Sequence, residues 1–239
     1  MDEYLYPHFY KIEKEHWWFV ARQKILLDYL DHHLRTSKET RILDVGCGTG
    51  AILEVLAQRF NAYGIDSSKD AIDFCRQRGL SNLFVGSLES YPRKDKFDII
   101  TMLDVAEHVT DDLSLFQQAH DLLKSGGSIL VAVPAFPFLW SQHDVILHHK
   151  RRYTKTQLEK VVASAGFTIQ HMTFFNTLLF PVAVVKRILQ PHRADDLEIP
   201  SRFLNTVLKR TFMLERVIVS RASLPFGLSL LCLAKTAAS

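Results

Sequence analysis

Between Arg41 and Gly50 the chain reads Arg-Ile-Leu-Asp-Val-Gly-Cys-Gly-Thr-Gly, and no other stretch limits the fold as strongly. A short apolar run ends in an acid, opens into glycines at alternate positions, and passes at once into the helical pattern Ala51-Ile52-Leu53-Glu54-Val55-Leu56. This predicts a strand, a glycine turn and a helix. Glycine lets the backbone take positive φ and lets a ligand approach bare main chain, and the helix that follows offers unpaired N–H groups. A nucleoside ligand is expected here.

The spacing is neither the G-x-G-x-x-G of dinucleotide sites nor a phosphate loop with its Gly-Lys-Ser/Thr ending. The D-x-G-x-G-x-G formed by Asp44, Gly46, Gly48 and Gly50 resembles motif I of the class I S-adenosylmethionine-dependent methyltransferases. Further on, Ala62-Tyr63-Gly64-Ile65-Asp66 reads as a second strand ending in an acid, the position that in this family accepts from both ribose hydroxyls. The resemblance implies S-adenosyl-L-methionine as cofactor, with Cys47 and Ser67 beside the matched positions. After the third strand, family members commonly carry an acid for the adenine amino group; here Ser87 stands in that place, and its hydroxyl or the Leu88 backbone would substitute.

Strand and helix patterns alternate from residue 41 to about 135, with strands expected at Arg41–Val45, Ala62–Asp66, Leu83–Val85, Phe97–Met102 and Ser128–Val133. Alternation of this kind implies βαβ crossovers and a parallel sheet, with ligands at the carboxyl ends of the strands. Asp111 and Asp112 can cap a helix over Leu113–Leu123, and Gly126-Gly127 would turn the chain into the fifth strand. Thr154 to Gln157 has capping-box form, Thr168–Phe175 reads as a strand, and a last strand follows Gly227. The resemblance implies that this strand inserts antiparallel between the fifth and sixth. The expected fold is α/β: a Rossmann-like, seven-stranded, mostly parallel sheet with helices on both faces. Residues 1–40 are read as an N-terminal helical cap, 41–239 as the methyltransferase domain, and 178–224 within it as a helical insertion or lid.

Phe97 to Asp104 looks like the fourth strand with its post-strand acid, which places Leu103 and Asp104 near the methionine part of the ligand. Asp104-Val105-Ala106-Glu107-His108 resembles the D/E-x-x-E-H segment of quinone-biosynthesis methyltransferases, and in the ubiquinone-pathway O-methyltransferases the comparable groups bind a divalent cation. A helix-start histidine held by hydrogen bonds is the reading preferred here, so no metal is expected and His108 is assigned to the cofactor site. In the cap, His16-Trp17-Trp18 and Arg22 resemble the aromatic lid helix of small-molecule methyltransferases, and Arg22 would pair with the methionine carboxylate.

The second dense cluster runs from Pro134 to Asp144 and on through His148 to Tyr153. It leaves the carboxyl edge of the sheet, where an acceptor would lie. Methyl transfer to a hydroxyl needs alignment and removal of a proton, a task that suits histidine. His143 with Asp144 is the expected base and His148 the second candidate; Trp140, Arg152 and Tyr153 are expected to bind the acceptor. The fourth strand is not followed by an Asn/Asp-Pro-Pro-Tyr segment, which disfavours macromolecular N-methylation.

Transfer to the oxygen of a small or lipid-linked acceptor leads the readings. Transfer to carbon, on a quinone ring or nucleotide sugar, and a non-catalytic cofactor-binding regulator remain open. The net charge of +3 is too small to argue for nucleic acid. Three cysteines lie far apart and the start, Met1-Asp2-Glu3-Tyr4, holds no signal-peptide core, so a reducing cytoplasm is expected. Residues 178–223 carry eight basic side chains against four acids, a net +4 that leaves −1 for the rest of the chain. Basic and apolar positions interleave there at helical spacing, which suggests peripheral contact with the inner face of a membrane.

Overall fold

The structure is a computed structural model that describes residues 5–92, 96–189 and 198–237. Met1 to Tyr4, and Arg193, Asp195 and Asp196 of the charge count above, lie outside the described residues. Helices α1 (Leu5–Ile12) and α2 (Trp17–His33) precede an alternating series: β1 (Arg41–Val45), α3 (Ala51–Arg59), β2 (Asn61–Asp66), α4 (Lys69–Gln77), β3 (Leu83–Val85) and β4 (Phe97–Leu103). After β4 come α5 (Asp112–Leu122), β5 (Leu123–Pro134), α6 (Gln142–Ile146), α7 (Lys155–Ser164) and β6 (Thr168–Phe175). The remainder is α8 (Phe180–Leu189), α9 (Arg202–Met213), α10 (Arg216–Arg221) and β7 (Ser229–Lys235).

The seven strands form one sheet in the order β3-β2-β1-β4-β5-β7-β6. All neighbours are parallel except β7, which runs antiparallel to both β5 and β6. Alternate residues of each strand feed opposite layers, because successive side chains of a strand point to opposite faces. Ile129, Val131 and Val133 join Phe116, Leu158 and Val162 of α5 and α7 on one face. Leu130 and Ala132 join Ile25, Leu26 and Tyr29 of α2, with Phe212 of α9, on the other. Helix α2 is thus a full member of one helical layer, its Ile25 and Tyr29 completely buried.

β5 differs from expectation. Rather than starting at Ser128 after a turn, it is continuous from Leu123, and the glycines lie inside it: Gly126 at φ +71° breaks the pleat where the pairing with β4 shifts between Phe97 and Ile99. Local caps hold the helices as their sequences suggest. Ser68 caps α4 by accepting from Ala71 N, Asp111 caps α5 by accepting from Ser114 N at 2.9 Å, and Thr154 with Gln157 closes a capping box on α7.

The order of the strands reverses between β1 and β4, and both of those strands end at the glycine turn and at Asp104. Ligands in open α/β sheets lie in the crevice at such a switch point. Among the described residues no helix is long and apolar enough to cross a membrane.

Candidate active site

The glycine turn takes the shape its sequence demands. Gly46, Gly48 and Gly50 have φ of +67°, +54° and +85°, a region L side chains rarely enter. A side chain at Gly50 would strike Cys75 Sγ at 2.8 Å, whereas one at Gly48 would meet nothing within 4 Å. Gly50 is therefore small for packing and Gly48 for open approach. The turn is pinned from outside: Gly48 N donates to Asp66 Oδ2 at 2.9 Å, and Cys75 Sγ donates to Gly48 O at 3.2 Å.

A cavity opens over the turn. Gly46, Cys47 and Gly48 form its floor with Asp44 and Leu103, and Glu13, Phe19, Arg22 and Gln23 cover it from the α1–α2 side. Asp44 is buried and accepts from Thr101 Oγ1 at 2.7 Å; burial pushes its carboxyl up to about 7. Asp66 accepts from Ser68 N at 2.9 Å on its second oxygen, which leaves lone pairs on both oxygens, and burial raises its pKa as well.

Arg22 is stacked on Trp18, with its Cζ 4.7 Å from the ring centroid, and its Nη2 lies 2.7 Å from Asp104 Oδ2. That approach is off the hydrogen-bond direction, so neither Nη2 nor Nε completes a hydrogen bond although both are buried. Asp104 reaches the arginine from a backbone at φ +61°.

Glu13 is a cavity residue that sequence reasoning did not find. It accepts from Thr49 Oγ1 of the glycine turn and from Arg78 Nη2 at 2.8 Å; Arg78 also donates to Thr49 O at 2.6 Å and to Glu54 at 3.1 Å. The first helix is thereby tied to the turn.

Other expected cofactor residues stand apart from this cavity. Ser67 is exposed beside Asp66. Ser87 is exposed and its backbone bonds Ser90, Ser87 N donating to Ser90 Oγ at 3.0 Å, while the Leu88 side chain is core, leaving only its backbone for an adenine. His108 lies on the acceptor side, its ring 4.8 Å from that of His149, and burial pushes it down to about 4.

The acceptor side corrects three expectations. Asp144 is turned to His149. Its carboxylate takes His149 Nδ1 at 2.8 Å, Arg152 Nε at 2.7 Å and Ser141 N at 2.9 Å. Burial alone would raise this carboxyl, but the histidine and the guanidinium outweigh it and hold it well below the usual carboxylate range. The chain turns back at His148, φ +58°, and this bend carries His149 inward.

Arg152 is buried and committed to Asp144 and to Ala135 O at 3.2 Å, so it cannot clamp an acceptor. Tyr153 is likewise buried, donating to Asp112 Oδ2 at 2.8 Å. Both shape the loop from within. Trp140, in contrast, is partly exposed, at 43%.

Around His149 the structure gathers Glu107, His108 and His149, one ligand atom of each lying within 4.8 Å of the others. Glu107 is fully buried and neither carboxylate oxygen has a hydrogen-bond partner. Burial, and then Asp104, raise its pKa well above the ordinary value, which favours the protonated form.

The sheet order with its antiparallel β7, the glycine turn at the switch point and the acid ending β2 define the class I S-adenosylmethionine-dependent methyltransferase fold. The chain belongs to the methyltransferase domain family, whose model matches residues 19–172. It is 33% identical over 113 residues to a ubiquinone biosynthesis O-methyltransferase of Actinobacillus pleuropneumoniae serotype 7, covering 42% of this chain and 48% of that one. Against the protein of that name from Alkalilimnicola ehrlichii it is 36% identical over 112 residues, covering 44% and 45%. The chain thus spans about half the length of the curated relatives it matches.

Among solved structures, a SAM-dependent methyltransferase from Archaeoglobus fulgidus shares the fold at a TM-score of 0.60 and 21% identity, covering 98% of this chain and 100% of that one. The N-methyltransferase NodS of Bradyrhizobium japonicum, solved with S-adenosyl-L-homocysteine, does so at 0.57 and 14%, covering 92% and 87%.

The residues present fit S-adenosylmethionine. Gly48 offers bare backbone, Asp66 keeps free lone pairs for hydroxyl donors, and the orphaned N–H groups of Arg22 border the cavity.

Proposed function

We propose that this chain is an enzyme that methylates a small or lipid-linked acceptor on oxygen, working in the cytoplasm at the inner face of a membrane. The observation that carries the reading is the Asp144–His149 pair in the segment that follows β5. An ionised carboxylate only accepts, so His149 Nδ1 carries the proton and a neutral ring keeps a lone pair on Nε2. That nitrogen can take the proton of an acceptor hydroxyl, and Asp144 stabilises the imidazolium that forms. In this reading Asp66 holds the ribose, Arg22 the methionine carboxylate, and Gly46 to Gly48 the main-chain side of the ligand. When bound, S-adenosylmethionine would supply an electrophilic methyl that the acceptor oxygen takes in line, the C–S bond breaking and S-adenosylhomocysteine leaving as the neutral thioether. Relatives named as ubiquinone biosynthesis O-methyltransferases support oxygen as the acceptor atom.

The convergence of Glu107, His108 and His149 favours a second reading, in which a divalent cation held by these groups binds the acceptor hydroxyl and lowers its pKa. The first reading needs no group beyond the Asp144–His149 pair, which is already in contact. The test is methyl incorporation from labelled S-adenosylmethionine into a panel of hydroxylated small molecules and a lipid extract. Binding of S-adenosylmethionine with no methyl incorporation and no S-adenosylhomocysteine release in either would leave the binding regulator.

A further inference from the structure

Most of the exposed large apolar side chains fall in one part of the sequence, between Leu178 and Phe226. Val182, Val185 and Leu189 recur at helical spacing along α8, with Leu178 in the turn before it, and all are exposed, Leu189 at 74%. The other side of α8 is already occupied: Phe180 packs on Phe136 and Phe226, and Arg187 Nη1 donates to Leu139 O at 2.9 Å.

Helix α9 repeats the arrangement. Its inner side is pinned, with Asn205 accepting from Trp17 N at 2.8 Å and donating to Glu15 O at 2.9 Å, and with Phe212 stacked on Phe175. Its outward stripe is Phe203, Val207, Arg210 and Leu214, with Phe203 exposed at 80%. A surface helix normally presents polar residues away from the core. Grouped exposed apolar residues mark an interaction surface.

Charge identifies the partner. Among the described residues from 178 to 223, seven are basic and two acidic, and one of those acids, Glu215, is buried and accepts from Leu178 N at 2.7 Å. Arg202 and Lys209 flank the α9 stripe. A second copy of the chain would bring the same positive charge against this face, which opposes a symmetric contact. A flat apolar layer beneath anionic headgroups matches it.

We propose that the outward faces of α8 and α9 dock this protein on a bilayer containing anionic lipid. The exposed Phe138 and Trp140 continue the surface toward the acceptor side, since Phe136, which packs on Phe180 of α8, also contacts Phe138. The proposal deepens the reading of a lipid-linked acceptor and rests on it only for the purpose of the docking.

Flotation of the full chain with vesicles of phosphatidylcholine alone, and of phosphatidylcholine with phosphatidylglycerol, at low and high salt, is the test. Wild type is expected to float with the anionic vesicles, less so at high salt, and to stay down with the neutral ones. Arg202→Glu with Arg210→Glu, and separately Val182→Asp with Phe203→Asp, should each cut anionic-vesicle binding ~10-fold or more. S-adenosylhomocysteine affinity and circular dichroism should not change, because all four positions are exposed and outside the cavity.

Wild type that stays down with both vesicles, floats equally with both, or is unaffected by the substitutions overturns the proposal. So does a larger species in wild type that the apolar double variant returns to monomer, which would make the face a contact between copies. Each of these outcomes leaves cofactor binding and turnover untouched, so the methyltransferase reading fails only in its own assay.

Discussion

His149 Nδ1 lies 2.8 Å from Asp144 Oδ1, and the same carboxylate oxygen takes Arg152 Nε at 2.7 Å. One buried anion thereby fixes the orientation of a histidine and absorbs the charge of an arginine. The histidine is held in one tautomer, with its other nitrogen turned away from the anion.

His149→Ala is expected to lower turnover by about 10²- to 10⁴-fold, as removal of a general base does, while S-adenosylhomocysteine affinity stays within about threefold. His143→Ala should cost far less, because the imidazole that Asp144 Oδ1 holds at 2.8 Å is that of His149. Single-turnover kinetics beside calorimetry would check both, and a larger loss at His143 would return the base to that residue.

Asp66→Ala should weaken S-adenosylmethionine binding at least about tenfold, since two ribose hydroxyls lose their acceptor and Gly48 N loses its anchor. Calorimetry measures this directly. An unchanged affinity would remove Asp66 from the cofactor site.

Chelation is expected to leave turnover intact. Dialysis against a chelator, followed by assay with and without added magnesium or zinc, separates proton transfer by His149 from a cation held with Glu107 and His108. Activity lost on chelation and restored by metal would establish the second reading.

Asp44 gives the ligand-free protein a pH-dependent stability. Its folded pKa is about 7 because of burial, so between the ordinary carboxylate value and about 7 the folded state keeps a proton that the unfolded chain has released. Stability from this group is greatest below that window, falls as pH rises through it, and is flat above. Asp44→Asn keeps an acceptor for Thr101 and removes the titration. Relative to wild type, the variant should gain up to a few kcal/mol between about pH 5 and about pH 8 in urea unfolding. A constant difference would place the buried charge elsewhere.

What could be read in the sequence was what local spacing encodes. Gly46, Gly48, Gly50 and Asp66 lie in one strand–turn–helix–strand unit, so their pattern predicted both the turn and its geometry. The pairing of Asp144 with His149 depends on a bend at His148 for which the residue types carry no periodic signal, and adjacency pointed to His143 instead. Arg152 and Tyr153 looked like ligand groups because a basic and aromatic cluster after a strand does not reveal which way its side chains turn. Glu13 reaches Thr49 across two intervening elements, a contact that only the packing of α1 against α4 creates.

The place of β7 bears on the order in which the molecule can be made. Leu230 to Ala234 are completely or almost completely buried, and the strand completes hydrogen bonding for β5 on one side and β6 on the other. A ribosome delivers β1 to β5 well before it delivers β7, so until then β5 offers an unpaired edge and β6 has no neighbour. Closure of the sheet is therefore a late, long-range event in synthesis, and the nascent chain depends on shielding of the β5 edge until the final strand emerges.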